Sequence, residues 1–157
     1  MNDYEKHVQR LIDSGIDVEE YAHLGRSGVS AKSFSGRQYI AVAPYLTTGL
    51  KQIVLAHEEG HLVSGSSGIE SKDEARADRW ASNFLLSPQT LLKSILRGCR
   101  SINDLSQYLN LPPDFLEDAI KIMRIQYGSD IEIGQYRLYL HPIEVEDIDT
   151  GQVWPEE

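Results

Sequence analysis

Residues 49–64, GLKQIVLAHEEGHLVS, decide how the chain is read. Leu50, Ile53, Val54, His57 and His61 recur at helical spacing and fall on one stripe, which predicts an inward-facing helix. Ser64-Gly65-Ser66-Ser67-Gly68 then reads as a flexible loop. Histidines four apart stand one helical turn above each other, so both imidazoles can reach one ion. His57-Glu58-Glu59-Gly60-His61 therefore carries zinc-ligand spacing. Glu58 points to the side of the stripe, where a carboxylate reaches water at a metal without becoming a ligand. The bland alternative is a pair of core histidines satisfied by hydrogen bonds.

A catalytic zinc needs a third protein ligand and an open fourth position. Cys99, His7, His23 and His141 show no ligand spacing. The best candidate is Glu74, thirteen residues after His61, on the stripe of Ala77, Asp78, Ala81 and Leu85 in a second helix running from Ser71 to about Leu86. Asp73 and Asp78 are the other candidates. Ser71-Lys72-Asp73-Glu74 also reads as a capping box, in which Glu74 would bond the Ser71 amide. Asp78, one turn after Glu74, either accepts from the far nitrogen of a ligating histidine or pairs with Arg76 or Arg79 at the surface. Trp80 reads as core packing rather than substrate contact.

Outward from this centre, residues 2–13 form an amphipathic helix with Tyr4, Val8, Leu11 and Ile12 on one side. Residues 16–35 are mixed and turn-rich. Residues 38–43, QYIAVA, read as a strand, with 29–34 as its hairpin partner. Ser87-Pro88 is an N-cap followed by a first-turn proline, and Gly98 ends that helix. Residues 101–109 and 114–127 are two further helices hinged at Asn110-Leu111-Pro112-Pro113, a helix-turn-helix-like subregion over 101–127. Its interior is Leu105, Leu109, Phe115, Leu116, Ile120 and Met123. Tyr136, Leu138 and Leu140 alternate as a terminal strand, and the acidic end after it is expected to fray. The expectation is a mostly helical α+β domain over residues 1–142 with an acidic tail over 143–157.

Composition bounds the function. The chain has 157 residues and a formal charge of −9, of which −7 lies from Asp130 onward. No basic cluster is available to displace counterions from phosphates, so nucleic acid is a poor partner. The second helix of 101–127 sets Asp114, Glu117 and Asp118 against Lys121 and Arg124, which disfavours DNA reading. No apolar stretch is long enough to span a bilayer, and MNDYEKHVQR lacks a signal-peptide core. One cysteine fits a reducing cytoplasm.

Three stretches together resemble the ImmA/IrrE metallo-endopeptidases of bacteria, phages and integrative elements: HEEGHL (57–62), EARADRWASNFLLSP (74–88) and RGCRSINDLSQYLNLPPDFLEDAIKIMRIQYG (97–128). The similarity runs from about residue 38 to 128 and extends more faintly to the first helix and to residues 135–142. It implies a zincin-like, mostly helical α+β metallopeptidase domain with a small N-terminal β-sheet. It implies Zn2+ on His57, His61 and Glu74, with Glu58 as general base, and a helix-turn-helix repressor as the protein substrate that is cleaved or inactivated. Glu59 departs from the family, whose members often have an uncharged residue there; the expectation is an altered cleft rim. Oxyanion donors would come from His141, Tyr39, Tyr127, Tyr136 or Tyr139. A rival reading is a non-catalytic antirepressor or protein-binding module that keeps the zinc site for structure. Activity is expected to be latent, gated by partner recognition or by the 64–68 loop.

Overall fold

The computed structural model describes residues 1–22, 31–34 and 38–155. Two compact units emerge, Met1–Ala81 and Ser82–Glu157. The first contains α1 (Asp3–Asp13), β1 (Asp17–Glu20), β2 (Ala31–Phe34), β3 (Tyr39–Val42), α2 (Thr48–Ser64) and the start of α3 (Glu70–Leu85).

Asn2 starts α1 with a reciprocal capping box: its side chain accepts from the Glu5 N–H at 2.8 Å, and the Glu5 carboxylate accepts from the Asn2 N–H at 2.9 Å. Tyr4, His7 and Leu11 form the buried face, while Ile12, expected among them, is exposed. The helix ends at Ser14 and Gly15, whose φ of +92° suits glycine.

β3 is the middle strand of a three-stranded sheet in the order β1-β3-β2. The expected hairpin is present as antiparallel β2 and β3, with Ala31 opposite Val42 and Phe34 opposite Tyr39. Val29 and Ser30, the first residues of that expected strand, lie outside the described residues, as does His23. β1, parallel to β3, was not foreseen. Its sequence DVEE holds one apolar residue, Val18, so no alternation marks it.

Ile40, Val42, Leu11 and Leu55 are fully buried and meet Tyr4 in the core of this unit. Each such burial is worth about 1.5–3 kcal/mol relative to exposure.

Thr47 caps α2, its side chain accepting from the Leu50 N–H at 3.3 Å. The buried face runs Gln52, Leu55, Ala56, Glu59 and Gly60. The stripe expected inside is rotated outward: Leu50 is exposed, and Ile53, Val54, His57 and His61 are half-buried. α3 starts at Glu70, so Ser71 belongs to the first turn and is not its cap. The carbonyl of Ile69 accepts from the Lys72 and Asp73 N–H groups instead. Ala77 and Ala81 are buried and Trp80 half-buried, as expected of the inner face, whereas Phe84 is exposed.

The second unit opens with α4 (Pro88–Leu96), capped by Ser87, whose side chain accepts from the Thr90 N–H at 3.1 Å. Gly98, at φ +109°, follows its end. α5 (Ile102–Leu109) and α6 (Pro113–Tyr127) are separated by Asn110 in the left-handed conformation, φ +52°. Leu105, Leu116, Ile120 and Met123 are buried as expected; Leu109 and Phe115 are half-buried.

Four antiparallel strands complete the unit in the order β4-β5-β6-β7: Asp130–Ile133, Tyr136–Leu140, Ile143–Asp147 and Val153–Trp154. β5 alone was expected. The acidic end does not fray: β6 and β7 occupy it, with Val145 fully buried opposite Leu138. In β6 the outer side carries Glu144 and Glu146, while Asp147 shares the inner face with Ile143 and Val145. The chain is a mostly helical α+β protein; among the described residues it has two small sheets and no helix long and apolar enough to cross a membrane.

Candidate metal centre

The candidate ligands and the candidate base lie in the first unit, on α2 and α3. Gly60 sets the approach of these helices. A Cβ at Gly60 would stand 3.0 Å from the Cα and carbonyl oxygen of Ala77 and 3.2 Å from the Trp80 Cβ. A helix surface without side chains at that point lets the backbones nearly touch.

The close crossing brings three side chains together. His57 Nε2 is 2.9 Å from Glu74 Oε2, His61 Nε2 is 2.8 Å from Glu74 Oε1, and the two Nε2 atoms are 3.1 Å apart. The rings stand edge to face, with centroids 4.7 Å apart. Glu74 thus turns its carboxylate to the histidines, and the capping-box role does not hold. Its side chain is half exposed rather than aligned with a buried face, and the two histidines are half-buried. Asp78 Oδ1 lies 2.8 Å from His57 Nδ1. His57 thus sets Nδ1 against Asp78 and Nε2 against the group. Asp73 turns away: it accepts from the Ser67 N–H at 3.0 Å and pairs with Arg76 at 3.0 Å. Hydrogen bonds from Ser67 hold its carboxyl below the ordinary carboxylate range, and they tie the 64–68 loop to α3.

A carboxylate facing two imidazole lone pairs is stabilised by a shared cation, either protons or a metal. Around a tetrahedral ion with ligands at 2.0–2.1 Å, neighbouring donors stand about 3.3 Å apart. The separations of 2.8–3.1 Å are close to that, so small side-chain adjustments suffice. Two nitrogens and one carboxylate oxygen on a partly exposed surface form a donor set that fits zinc with one position open. Glu58 is half-buried and, among the described residues, makes no hydrogen bond or ion pair.

Glu59, expected at a cleft rim, is buried at 4% exposure on the other side of α2. Its carboxylate accepts from His7 Nε2 at 3.0 Å and from Arg10 at 2.8 Å. Burial alone would push its pKa up, but His7 and Arg10 outweigh burial and hold it below the ordinary value. No local pattern marks it, because its partners lie on α1, 52 and 49 residues earlier. Of the expected oxyanion donors, the Tyr39 hydroxyl donates to Glu19 at 2.7 Å, while Tyr127, Tyr136, Tyr139 and His141 belong to the second unit.

Residues 13–121 match the family model described as the IrrE N-terminal-like domain, Peptidase_M78. No curated protein and no solved structure matches the chain.

Proposed function

The chain belongs to the IrrE N-terminal-like family, Peptidase_M78, and from that premise we propose that it is a zinc-dependent endopeptidase acting on a protein substrate. His57, His61 and Glu74 are the metal ligands, Asp78 orients His57, and Glu58 is the general base. The observation that carries this reading is the convergence of one donor atom from each of three side chains within 4.8 Å, beside a glutamate with no other engagement among the described residues.

Bound there, zinc would lower the pKa of a water toward neutrality and polarise a peptide carbonyl. Glu58 takes the proton of the attacking water and passes it to the leaving amine, which requires a carboxylate held near the water but outside the ligand set. Asp78, 2.8 Å from His57 Nδ1, would hold that ring with Nε2 toward the metal. The substrate we propose is a helix-turn-helix repressor of a phage or mobile element. Antirepression would then follow from its cleavage.

Metal content and hydrolysis separate the roles. The wild type should hold about one zinc per chain; Glu74→Ala should lose it, and Glu58→Gln should keep it. Glu58→Gln should also lower cleavage of the repressor by about 10²–10⁴-fold. Absence of zinc from the reconstituted wild type would overturn the reading. Undiminished antirepression by Glu58→Gln in cells would favour binding without catalysis.

A further inference from the structure

Glu58 and Glu59 are neighbours on α2 with opposite surroundings. One lies half-buried beside the donor group, and the other is buried against α1. A buried carboxylate is costly without hydrogen-bonding or cationic partners, and α1 supplies an imidazole and a guanidinium three residues apart on one face. His7, itself 5% exposed, donates to Oε2, and one terminal nitrogen of Arg10 bridges both oxygens at 2.8 Å. α1 also packs on α2 through Tyr4, Leu11 and Leu55, with the Lys51 ammonium 5.6 Å over the Tyr4 ring. Apolar contacts are non-directional and let a helix turn slightly about its axis, whereas hydrogen-bonded charge pairs fix it. Metal donors have to be held to about 0.5 Å and 10–20°.

We propose that Glu59 is a positioning residue. Its bonds to His7 and Arg10 fasten α1 to the far side of α2 and set the rotation at which His57, Glu58 and His61 face Glu74. The inference rests on the metallopeptidase reading above. It adds that α1, which contributes no donor, governs the metal geometry.

The test compares the full-length wild type with Glu59→Gln, Arg10→Gln and Arg10→Lys. The readouts are zinc affinity by competition with a chromophoric chelator, the absorption spectrum of the Co2+-loaded protein, and amide hydrogen exchange along α2. Folding is verified by circular dichroism. Glu59→Gln should lower zinc affinity by about tenfold or more and alter the Co2+ spectrum. Arg10→Gln should do so to a smaller extent, and Arg10→Lys, which keeps a cation on Glu59, should restore both. Wild-type affinity and spectrum in Glu59→Gln overturn the proposal. If that variant fails to fold, the same result in Arg10→Gln does so. A wild type that binds no zinc instead removes the metallopeptidase reading. Hydrogen exchange then decides: faster exchange over 57–64 in Arg10→Gln supports the fastening, and unchanged exchange overturns it.

Discussion

At the scale of single residues, Gly60 is the tightest constraint at the centre. The atoms a Cβ would meet are the backbone of Ala77 and the Trp80 Cβ, none of which yields like the tip of a flexible side chain. Gly60→Ala should therefore destabilise the protein by about 1–3 kcal/mol. It should also weaken zinc binding, because the helices must part between His61 and Glu74. Urea denaturation with and without zinc checks both effects, and an unchanged midpoint with full affinity would refute them. Several of these residues were legible in the sequence. The i,i+4 histidines follow from helical periodicity alone, and Glu74 follows from its stripe on the next helix. Glu59 was not legible as a buried group. A carboxylate in the interior is an exception that only its partners explain, and those partners, His7 and Arg10, lie in a distant segment.

Single elements show the same division. Helices with polar caps, such as α4 behind Ser87 and α5 behind Ser101, were found nearly to the residue, because a cap is local chemistry. β1 and β7 went unseen, since short strands with one or two apolar residues owe their existence to the neighbour they pair with. The turn between β6 and β7 illustrates how such an element is held. Burial would push the carboxyl of Asp147 up, but hydrogen bonds from Gln135 and from the N–H groups of Thr150 and Asp149 outweigh that and hold it below its ordinary 3.8. A carboxyl depressed in the folded state stabilises that state above its unfolded pKa, and the stabilisation is lost as pH falls through the native value. The four-stranded sheet should therefore lose stability as pH drops below about 4. In Asp147→Asn that acid limb should be flatter. Acid titration followed by the near-ultraviolet signal of Trp154 against Tyr136, whose rings lie 6.1 Å apart, reads the change.

For the whole molecule, zinc is expected to act as a ligand of the folded state. Free zinc at a hundred times its dissociation constant should stabilise the protein by about 2.7 kcal/mol. Thermal unfolding should register that gain in the wild type and none in Glu74→Ala. The increase in amide protection should be largest within Met1–Ala81, where every proposed donor lies. A gain that survives in Glu74→Ala would mean that zinc binds elsewhere. The class of the molecule, a mostly helical α+β chain, was readable from hydrophobic periodicity. Its second sheet was not, because the −7 of charge from Asp130 onward masks short strands in which acids interrupt the apolar residues. The placement of all the donors before residue 82 also bears on biosynthesis. A ribosome adds about 5–20 residues per second. The complete donor set is thus on the nascent chain roughly 4–17 s before the last residue of the second unit is joined, an interval in which the metal can be taken up during translation itself.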